Sequence, residues 1–428
     1  MRSPVRFLAS QMAKRVIMRA ASVMREGELT AVFPGGKRRI FGTPGATPKA
    51  TLRIHDDEFF SRVLLHGEIG VGEAYVDGLW DSDDLVALME LGVANRRHVQ
   101  FSSTWVSRAS KLKNVRLHRG RRNTQAQAKD NIHAHYDLSN DLFRLFLDET
   151  MTYSCAYFSS PEQPLADAQH NKYRMLCERA GIKRGDHVLE IGSGWGGFAM
   201  SAAERFGCRV TSVTISEEQL ALARERVEQA GLSERVDIRF CDYRDIEGQY
   251  DAIVSIEMFE AVGAEYFETF FRVCDRALKP GGRMALQTIS LPDRAFVPVR
   301  DGVNWVQKYI FPGGMLPSIS EIERALHHTD LVIDGLEDIG AHYALTLHQW
   351  RERFVSRSSE VRALGFDTRF IRMWEYYLAV CEAGFLTRNT GDLQLGFVKL
   401  PSRAELPSAV ASANGVAAVE EASRIVAS

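Results

Sequence analysis

A glycine cluster at residues 192–197 constrains the fold of this 428-residue chain more than any other stretch. An apolar, β-type run over 187–191 leads into it, and a helical pattern over 198–206 follows. Glycines let a backbone turn sharply and approach a ligand where a Cβ would collide. The order of strand, glycine turn and helix is the one with which α/β proteins bind nucleotide-like cofactors. The stretch therefore predicts a doubly wound sheet with a cofactor at this turn.

The residues around the cluster distinguish between two cofactors. Read as G-x-G-x-x-G, the same letters fit a dinucleotide site. Glu190, however, lies two residues before the first glycine, which gives the E-x-G-x-G-x-G pattern of class I methyltransferases. The second predicted strand, 209–213, does not end in the acidic residue that holds an NAD ribose; hydroxyl and amide groups follow it. Both details favour S-adenosylmethionine.

Length and composition set wider limits on the class of protein. The 428 residues exceed one typical domain and fit two. A hydrophobic content of 45% with 25% charged residues is typical of a globular protein. The six scattered cysteines show no pairing or metal-ligand spacing, which indicates reduced thiols in a cytosolic protein and no metal site. Because no apolar run approaches the roughly 18 to 20 residues of a membrane span, a soluble or peripheral protein is expected.

The amino-terminal segment is basic although the formal net charge of the chain is only −2. From Arg2 to Arg25 it holds six basic residues and no acid. Apolar side chains recur in it at helical spacing, at Leu8, Met12, Val16, Ala20 and Val23. The pattern predicts a basic amphipathic helix on an anionic membrane surface. Packing on its own domain and a transit-like leader remain alternatives.

A second basic segment, 106–130, separates two predicted domains. Seven Lys and Arg residues lie between Arg108 and Arg122, and the first acid after them is Asp130. No aromatic residues interleave the run and no known module surrounds it, so nucleic acid is not a predicted partner. Lipid phosphate headgroups and a solvated tether both remain open. The predicted domains are a lipid-associated unit at 1–105, a catalytic domain at 131–400 and a weakly ordered tail at 401–428.

Alternating strand and helix patterns run through the catalytic domain. Strands are predicted at 187–191, 209–213, 236–240, 251–256 and 283–289. In the first domain the patterns predict a strand at 51–54 and helices at 57–65 and 82–94. The expected fold class is α/β, a class I (Rossmann-like) methyltransferase sheet preceded by a smaller, mainly helical domain.

Motifs outside the glycine turn are more specific than the turn itself. They occupy residues 135–143, 151–158, 258–263, 308–314 and 373–382. In this order and spacing the set resembles the cyclopropane-fatty-acyl-phospholipid synthases and their mycolic-acid relatives, over nearly the whole chain. Residues 60–80 resemble the amino-terminal domain of the bacterial full-length members.

The resemblance implies a reaction, its partners and a location. The implied reaction transfers a methylene or methyl group from S-adenosylmethionine to the double bond of unsaturated phospholipid acyl chains, giving cyclopropane fatty acids. Methyl transfer to an alkene leaves a carbocation, which needs aromatic faces and one base; in the family that base is thought to be a bound bicarbonate ion. The implied location is cytoplasmic, at the inner face of an anionic membrane. The oligomeric state stays open, with a homodimer as one prediction.

The resemblance also implies the catalytic residues. They are Cys155, Glu260, Gln287, Ile289 (through its backbone), Tyr343 and Cys381. Gln287 stands where the family has a bicarbonate-binding histidine, and a neutral amide can bind an anion but carries no positive charge. The departure leaves open a C-methyltransferase that makes methyl-branched or methylene chains, with a non-catalytic lipid-binding relative as a further alternative.

For the cofactor, the resemblance implies contacts along the whole molecule. The residues are Tyr153, Ser154, Glu190, Gly192, Gly194, Trp195, Gly196, Thr214, Gln219, Tyr243 and Arg244. Tyr153 and Ser154 are expected at the methionine end, Thr214 and Gln219 at the ribose, and the last two residues of the set at the adenine. His135 and Tyr136 are further candidates for its border.

Overall fold

The computed structural model describes residues 4–98 and 139–401. The predicted basic linker at 106–130 lies outside these ranges, as do His135, Tyr136 and the predicted tail beyond residue 401. Within the described ranges, the helices lack the combination of length and apolarity that crossing a bilayer requires.

The first unit combines four helices with a small mixed sheet. In chain order its elements are α1 (Pro4–Ala21), β1 (Glu28–Val32), β2 (Arg38–Gly42), β3 (Lys49–Ile54), α2 (Glu58–His66), α3 (Glu68–Val76), β4 (Trp80–Ser82) and α4 (Leu85–Ala94). The strand order is β2-β1-β3-β4, with β1 and β3 parallel. The strand predicted at 51–54 is part of β3, and the two predicted helices correspond to α2 and α4. The other three strands were not predicted, since they are short and lack a clear apolar alternation.

Helix α1 packs on α2 with a face that the sequence pattern did not indicate. Ala13 and Ile17 are buried in the core of the first unit, and Lys14 forms an ion pair with Asp57 at 2.9 Å. Met12 and Val16, from the predicted apolar stripe, remain 69% and 44% exposed. The helix therefore packs on its own domain and still presents an apolar stripe to the outside.

The second unit is built around a seven-stranded sheet. Its elements are α5 (Asn140–Phe146), α6 (Leu165–Arg179), β5 (His187–Ile191), α7 (Gly197–Phe206), β6 (Arg209–Thr214), α8 (Glu217–Gln229), β7 (Val236–Phe240), β8 (Tyr250–Ile256), α9 (Phe267–Ala277), β9 (Leu278–Ser290), α10 (Asp293–Arg300), α11 (Trp305–Tyr309), α12 (Ile319–Ala325), β10 (Leu331–Asp338), α13 (Gly340–Ser356), α14 (Ser358–Ala363), α15 (Thr368–Leu386) and β11 (Gly391–Lys399). Short 3-10 turns at Tyr243–Asp245, Phe259–Ala261 and Ala264–Tyr266 complete it.

The strand order, β10-β11-β9-β8-β5-β6-β7, is that of a doubly wound sheet with an antiparallel extension. Strands β5 to β9 are parallel to one another and overlap the five predicted strands, although β9 begins five residues before its predicted start at 283. Strand β11 pairs antiparallel with β9, and β10 with β11; neither was predicted. The chain leaves β5 toward β6 and β7 and returns to β8 on its other side. Such a reversal opens a crevice at the carboxyl ends of the strands.

Helix α15 joins the two units. Tyr75 on α3 stacks near Tyr376 on α15 with ring centroids 5.5 Å apart, and its hydroxyl donates to Glu375 at 2.8 Å. Gly72 on α3 lies against Trp305 of α11 so closely that a Cβ there would be 2.4 Å from the indole nitrogen. The two units therefore share one apolar core rather than a solvated joint.

Candidate active site

A pocket opens at the carboxyl edge of the sheet, around the turn that follows β5. Its lining contains every residue predicted to hold the cofactor except Gly196: Tyr153, Ser154, Glu190, Gly192, Gly194, Trp195, Thr214, Gln219, Tyr243 and Arg244. Gly196 is the residue just before α7 and has a left-handed backbone, with φ of 83°. The structure thus brings residues from four strand ends to one cavity.

The turn itself requires glycine. Gly192 has φ of 98°, and a Cβ there would lie 2.9 Å from Cβ of Met258. Both the backbone conformation and the space exclude a larger residue. Because α7 begins directly after the turn, its first residues, Gly197 and Phe198, line the pocket. The first N–H groups of a helix have no partner within it and can bind polar groups of a ligand.

The far side of the pocket offers hydroxyl and aromatic groups. Thr214 donates from its hydroxyl to the side-chain carbonyl of Gln219 at 3.1 Å. The Tyr243 hydroxyl is buried and has no hydrogen-bond partner among the described residues, which leaves it available to a ligand. Arg244 is held by Asp242 at 2.6 Å; Asp242 also lines the pocket and was not predicted. These groups fit the ribose and adenine of S-adenosylmethionine.

Glu190 is the acidic residue of the glycine motif, and it is almost fully buried. It accepts a hydrogen bond from the Ser212 hydroxyl at 2.5 Å. Burial raises the pKa of Glu190 to about 8, and the Ser212 hydrogen bond and the charge of Lys172 only partly oppose this rise. The carboxyl is therefore mostly neutral near pH 7, and a cationic ligand beside it would favour its ionised form.

A hydrogen-bond network of buried polar groups lies at the ends of β8 and β9, and Glu257 is its centre. One carboxylate oxygen of Glu257 accepts from the backbone N–H of Cys155 and from the side-chain amide of Gln287, both at 2.8 Å. The other oxygen accepts from the Tyr343 hydroxyl at 2.6 Å. Glu257 also lines the cofactor pocket. This residue was not among those predicted from the sequence, although it directly follows a predicted strand.

Glu260 lies one turn further along, in the 3-10 turn Phe259–Ala261. The backbone N–H of Ile289 donates to one of its oxygens, and the other oxygen is buried without a partner among the described residues. Burial, followed by the charge of Glu257, raises the pKa of Glu260 to about 8. Two carboxyl groups that disfavour each other's ionisation thus lie at the end of β8.

Further buried ionisable groups surround these carboxyls, and none was predicted. Lys172 on α6 is completely buried and donates to the Ser154 hydroxyl at 2.7 Å; burial lowers its pKa to about 8. Asp392 on β11 accepts from the Gln287 amide at 3.1 Å, and burial raises its pKa well above the usual range. The sequence carries no signal for these two residues, because α6, β11 and the end of β8 are far apart along the chain and meet only when it folds.

The predicted catalytic residues divide into three groups. Cys155, Gln287 and Tyr343 contact Glu257, and Ile289 contacts Glu260. Cys155 contributes through its backbone, since burial raises the pKa of its thiol well above normal. Cys381 lies on α15, packed against the apolar cluster and outside this hydrogen-bond network; burial raises the pKa of its thiol to about 12.

The prediction of a bicarbonate ion does not fit this arrangement. The residues expected to hold the ion were Cys155, Glu260, Ile289 (through its backbone) and Tyr343. The backbone N–H of Cys155 and the hydroxyl of Tyr343 both donate to Glu257. The N–H of Ile289, the remaining backbone donor, is engaged by Glu260. Carboxylates of the chain itself thus take up the donors that a bound anion would need.

Comparison with known proteins agrees with the sequence resemblance. The family model for mycolic acid cyclopropane synthetase matches residues 123–395. Tuberculostearic acid methyltransferase UfaA1 of Mycobacterium tuberculosis is 43% identical over 395 residues, covering 90% of each chain. The cyclopropane-fatty-acyl-phospholipid synthase of Escherichia coli K12 is 39% identical over 357 residues, covering 82% of this chain and 87% of that one.

A solved structure supports the fold and the cofactor. Mycolic acid cyclopropane synthase CmaA1, in complex with S-adenosylhomocysteine and CTAB, aligns with a TM-score of 0.59 and 30% identity. The alignment covers 63% of this chain and 98% of CmaA1. Together with the glycine turn and the pocket around it, these comparisons place the chain in the mycolic acid cyclopropane synthetase family, as an S-adenosylmethionine-dependent methyltransferase of the cyclopropane synthase type.

Proposed function

We propose that the protein transfers the methyl group of S-adenosylmethionine to the double bond of an unsaturated acyl chain in a membrane phospholipid. The observation that carries this proposal is a carboxylate, Glu257, at the boundary between the cofactor pocket and a set of buried aromatic rings. Methylation of an amine or hydroxyl also releases a proton, but the lone pair of the nucleophile forms the new bond and no carbocation has to be shielded from water. Attack by an alkene produces a carbocation and requires a base in a water-poor site.

The aromatic residues around the site suit a cation. Tyr343, which donates to Glu257, stacks on Phe385 with ring centroids 4.4 Å apart. Tyr153 lines the pocket, and its hydroxyl forms a 2.8 Å hydrogen bond with that of Tyr377. Ring faces stabilise positive charge and exclude water. Bound S-adenosylmethionine supplies the electrophilic methyl group.

We propose a methylene product, or an alkene that carries a methyl branch, rather than the predicted ring. Gln287 donates to Glu257, and its carbonyl accepts from Gln394 at 3.0 Å, so both ends of this amide are fixed. Among the described residues, the hydrogen-bond donors to Glu257 are Cys155, Gln287 and Tyr343, so none is a histidine such as the family has in place of Gln287. The 43% identical relative is named a methyltransferase, which agrees with this choice. A cyclopropane product is the second candidate, favoured by the name of the E. coli relative, which also supports a phospholipid substrate.

We further propose that α1 binds the membrane surface. Met12 and Val16 are exposed on this helix, with the exposed basic residues Arg15 and Arg19 beside them. Exposed apolar side chains next to cations suit the headgroup region of an anionic bilayer. The cytoplasmic location and the homodimer stay predictions.

The test is expression in a bacterium that lacks its own synthase, fed with methyl-deuterated methionine. Mass spectrometry of the fatty acids should show unsaturated chains that gain one carbon. Ring and methylene products lose one deuteron from the transferred methyl, and nuclear magnetic resonance separates these two. Proton loss from a chain carbon retains all three deuterons. Unsaturated chains that gain no carbon, in a host that contains folded protein, would refute the proposed function.

A further inference from the structure

Three hydrogen-bond donors converge on the carboxylate of Glu257, and each comes from a different part of the second unit. They are the Cys155 backbone N–H after α5, the Gln287 amide on β9 and the Tyr343 hydroxyl on α13. All three are neutral, so they stabilise a negative charge without cancelling it. This is a complete anion-binding site, and the anion it holds is a side chain.

From this arrangement we propose that Glu257 is the general base of the reaction and acts in place of an external bicarbonate ion. The inference rests on the proposed function, since it concerns the proton that leaves after methyl transfer. It adds a catalytic residue that the family resemblance did not supply.

The backbone conformation of Glu257 indicates that this position requires its side chain. Its φ is 48°, in the left-handed region that residues with a Cβ rarely adopt. Such conformations cost about 1 to 3 kcal/mol and persist where the surroundings impose them, often at active sites. Glycine would adopt this backbone conformation more easily, so the Glu257 carboxylate is held here at a conformational cost.

Position and electrostatics allow the carboxylate to take a proton. Glu257 lines the same pocket as Gly192 and Gly194 and is only partly buried, so it faces the cofactor side. Burial raises its pKa, while the hydrogen bonds from Tyr343 and Cys155 and the charge of Lys172 oppose the rise. A base whose pKa lies above the usual carboxyl range binds a proton more strongly than an exposed one.

The proton balance is simple. The π electrons of the alkene form the new carbon–carbon bond to the methyl group as the sulfur–methyl bond breaks, which releases S-adenosylhomocysteine. The resulting carbocation loses one proton to a Glu257 oxygen. The electron pair of that C–H bond closes a ring or forms a double bond. Glu257 then gives the proton to water before the next turnover.

The first experiment compares wild type with Glu257→Gln in methyl transfer to vesicles of monounsaturated phosphatidylglycerol. Glutamine keeps an acceptor for Tyr343 but is no base, so we expect turnover to fall about 10²- to 10⁴-fold. Stabilisation by S-adenosylhomocysteine should persist. Glu268→Gln, an exposed ion-pair residue on α9, is the matched control and should keep wild-type turnover. Wild-type turnover in Glu257→Gln would overturn the proposal.

The second experiment varies dissolved bicarbonate. Wild-type turnover should be the same in carbonate-free and bicarbonate-supplemented buffer. Glu257→Gly removes the carboxylate and suits the backbone, so added bicarbonate or formate should restore part of its turnover. A wild-type rate that falls without bicarbonate and recovers with it would overturn the proposal, even if Glu257→Gln failed to fold. If wild type methylated no lipid at all, the proposed function would fail, which is a different outcome.

Discussion

The buried carboxyl of Glu190 allows a quantitative prediction of pH-dependent stability. Its pKa is raised from the ordinary 4.5 to about 8 in the folded protein. Below pH 4.5 the carboxyl is protonated in both the folded and the unfolded chain, so its burial carries no ionisation cost. As the pH rises toward 8, only the unfolded chain ionises, and the free energy of unfolding falls. Stability from this group is therefore present in acid and lost on the way to pH 8.

The size of the effect follows from the shift in pKa. Each pKa unit corresponds to about 1.4 kcal/mol, so the full shift corresponds to roughly 5 kcal/mol and the part between pH 5 and pH 8 to roughly 3 to 4 kcal/mol. Glu190→Gln cannot ionise, and its side-chain oxygen still accepts from Ser212. We expect the variant to gain about that amount of stability relative to wild type between these two pH values.

Urea unfolding of the cofactor-free protein at pH 5, 6.5 and 8 measures the difference. The other ionisable groups are common to both proteins, so their contributions cancel when the two are subtracted. A difference in unfolding free energy that stays constant within about 1 kcal/mol across the range would contradict a raised pKa of Glu190 in the folded protein. It would mean that water or a neighbouring charge keeps the Glu190 carboxylate ionised in the folded protein.

Three further predictions concern the product, the cofactor and the membrane. Gln287→His should change the ratio of ring to branched product more than total methyl transfer, measured by gas chromatography; an unchanged ratio would mean that this position does not steer the proton. Gly192→Ala should weaken S-adenosylhomocysteine binding by tenfold or more in calorimetry, because the added Cβ lies 2.9 Å from Met258 in a left-handed backbone; affinity equal to wild type would contradict this. Met12→Ser with Val16→Ser should weaken binding to anionic vesicles in a sedimentation assay without lowering the melting temperature, and unaltered binding would count against a membrane role for α1.

The parallel strands could be predicted from the sequence because they are short runs of apolar and β-branched residues or, in β7, an alternation of apolar and charged residues. Strands β5 and β7 match their predicted bounds, and β6 and β8 differ by one residue. Strand β10 could not, since charged residues interrupt it and a register shift lies between Ile333 and Gly335. Strand β11 was not predicted although Leu393, Leu395 and Phe397 alternate along it. A continuous apolar run is the signal of a strand whose two faces are both buried.

The part of the site that was predicted from the sequence is the part formed by short contiguous motifs. The glycine turn and the residues around it are contiguous, and the predicted cofactor residues line the pocket apart from Gly196. Glu257 could have been noticed, because it is an acidic residue at the carboxyl end of a predicted parallel strand, where α/β proteins place functional groups. Its partners come from the segment between α5 and α6, from β9 and from α13, and no spacing along the chain shows that these segments meet.

The close contact of Gly72 with Trp305 has a consequence for substrate selection. Glycine lets α3 approach α11 directly, so the first unit and the catalytic unit are fixed relative to each other. If α1 lies on the surface of the bilayer, the reacting centre is then held at a constant distance from the lipid headgroups. The distance of a double bond from its ester linkage, rather than the overall length of the fatty acid, would determine which lipids react. A larger residue in place of Gly72 would change the position of the first unit relative to the catalytic unit. Selection for the position of the double bond would weaken before the rate of methyl transfer fell.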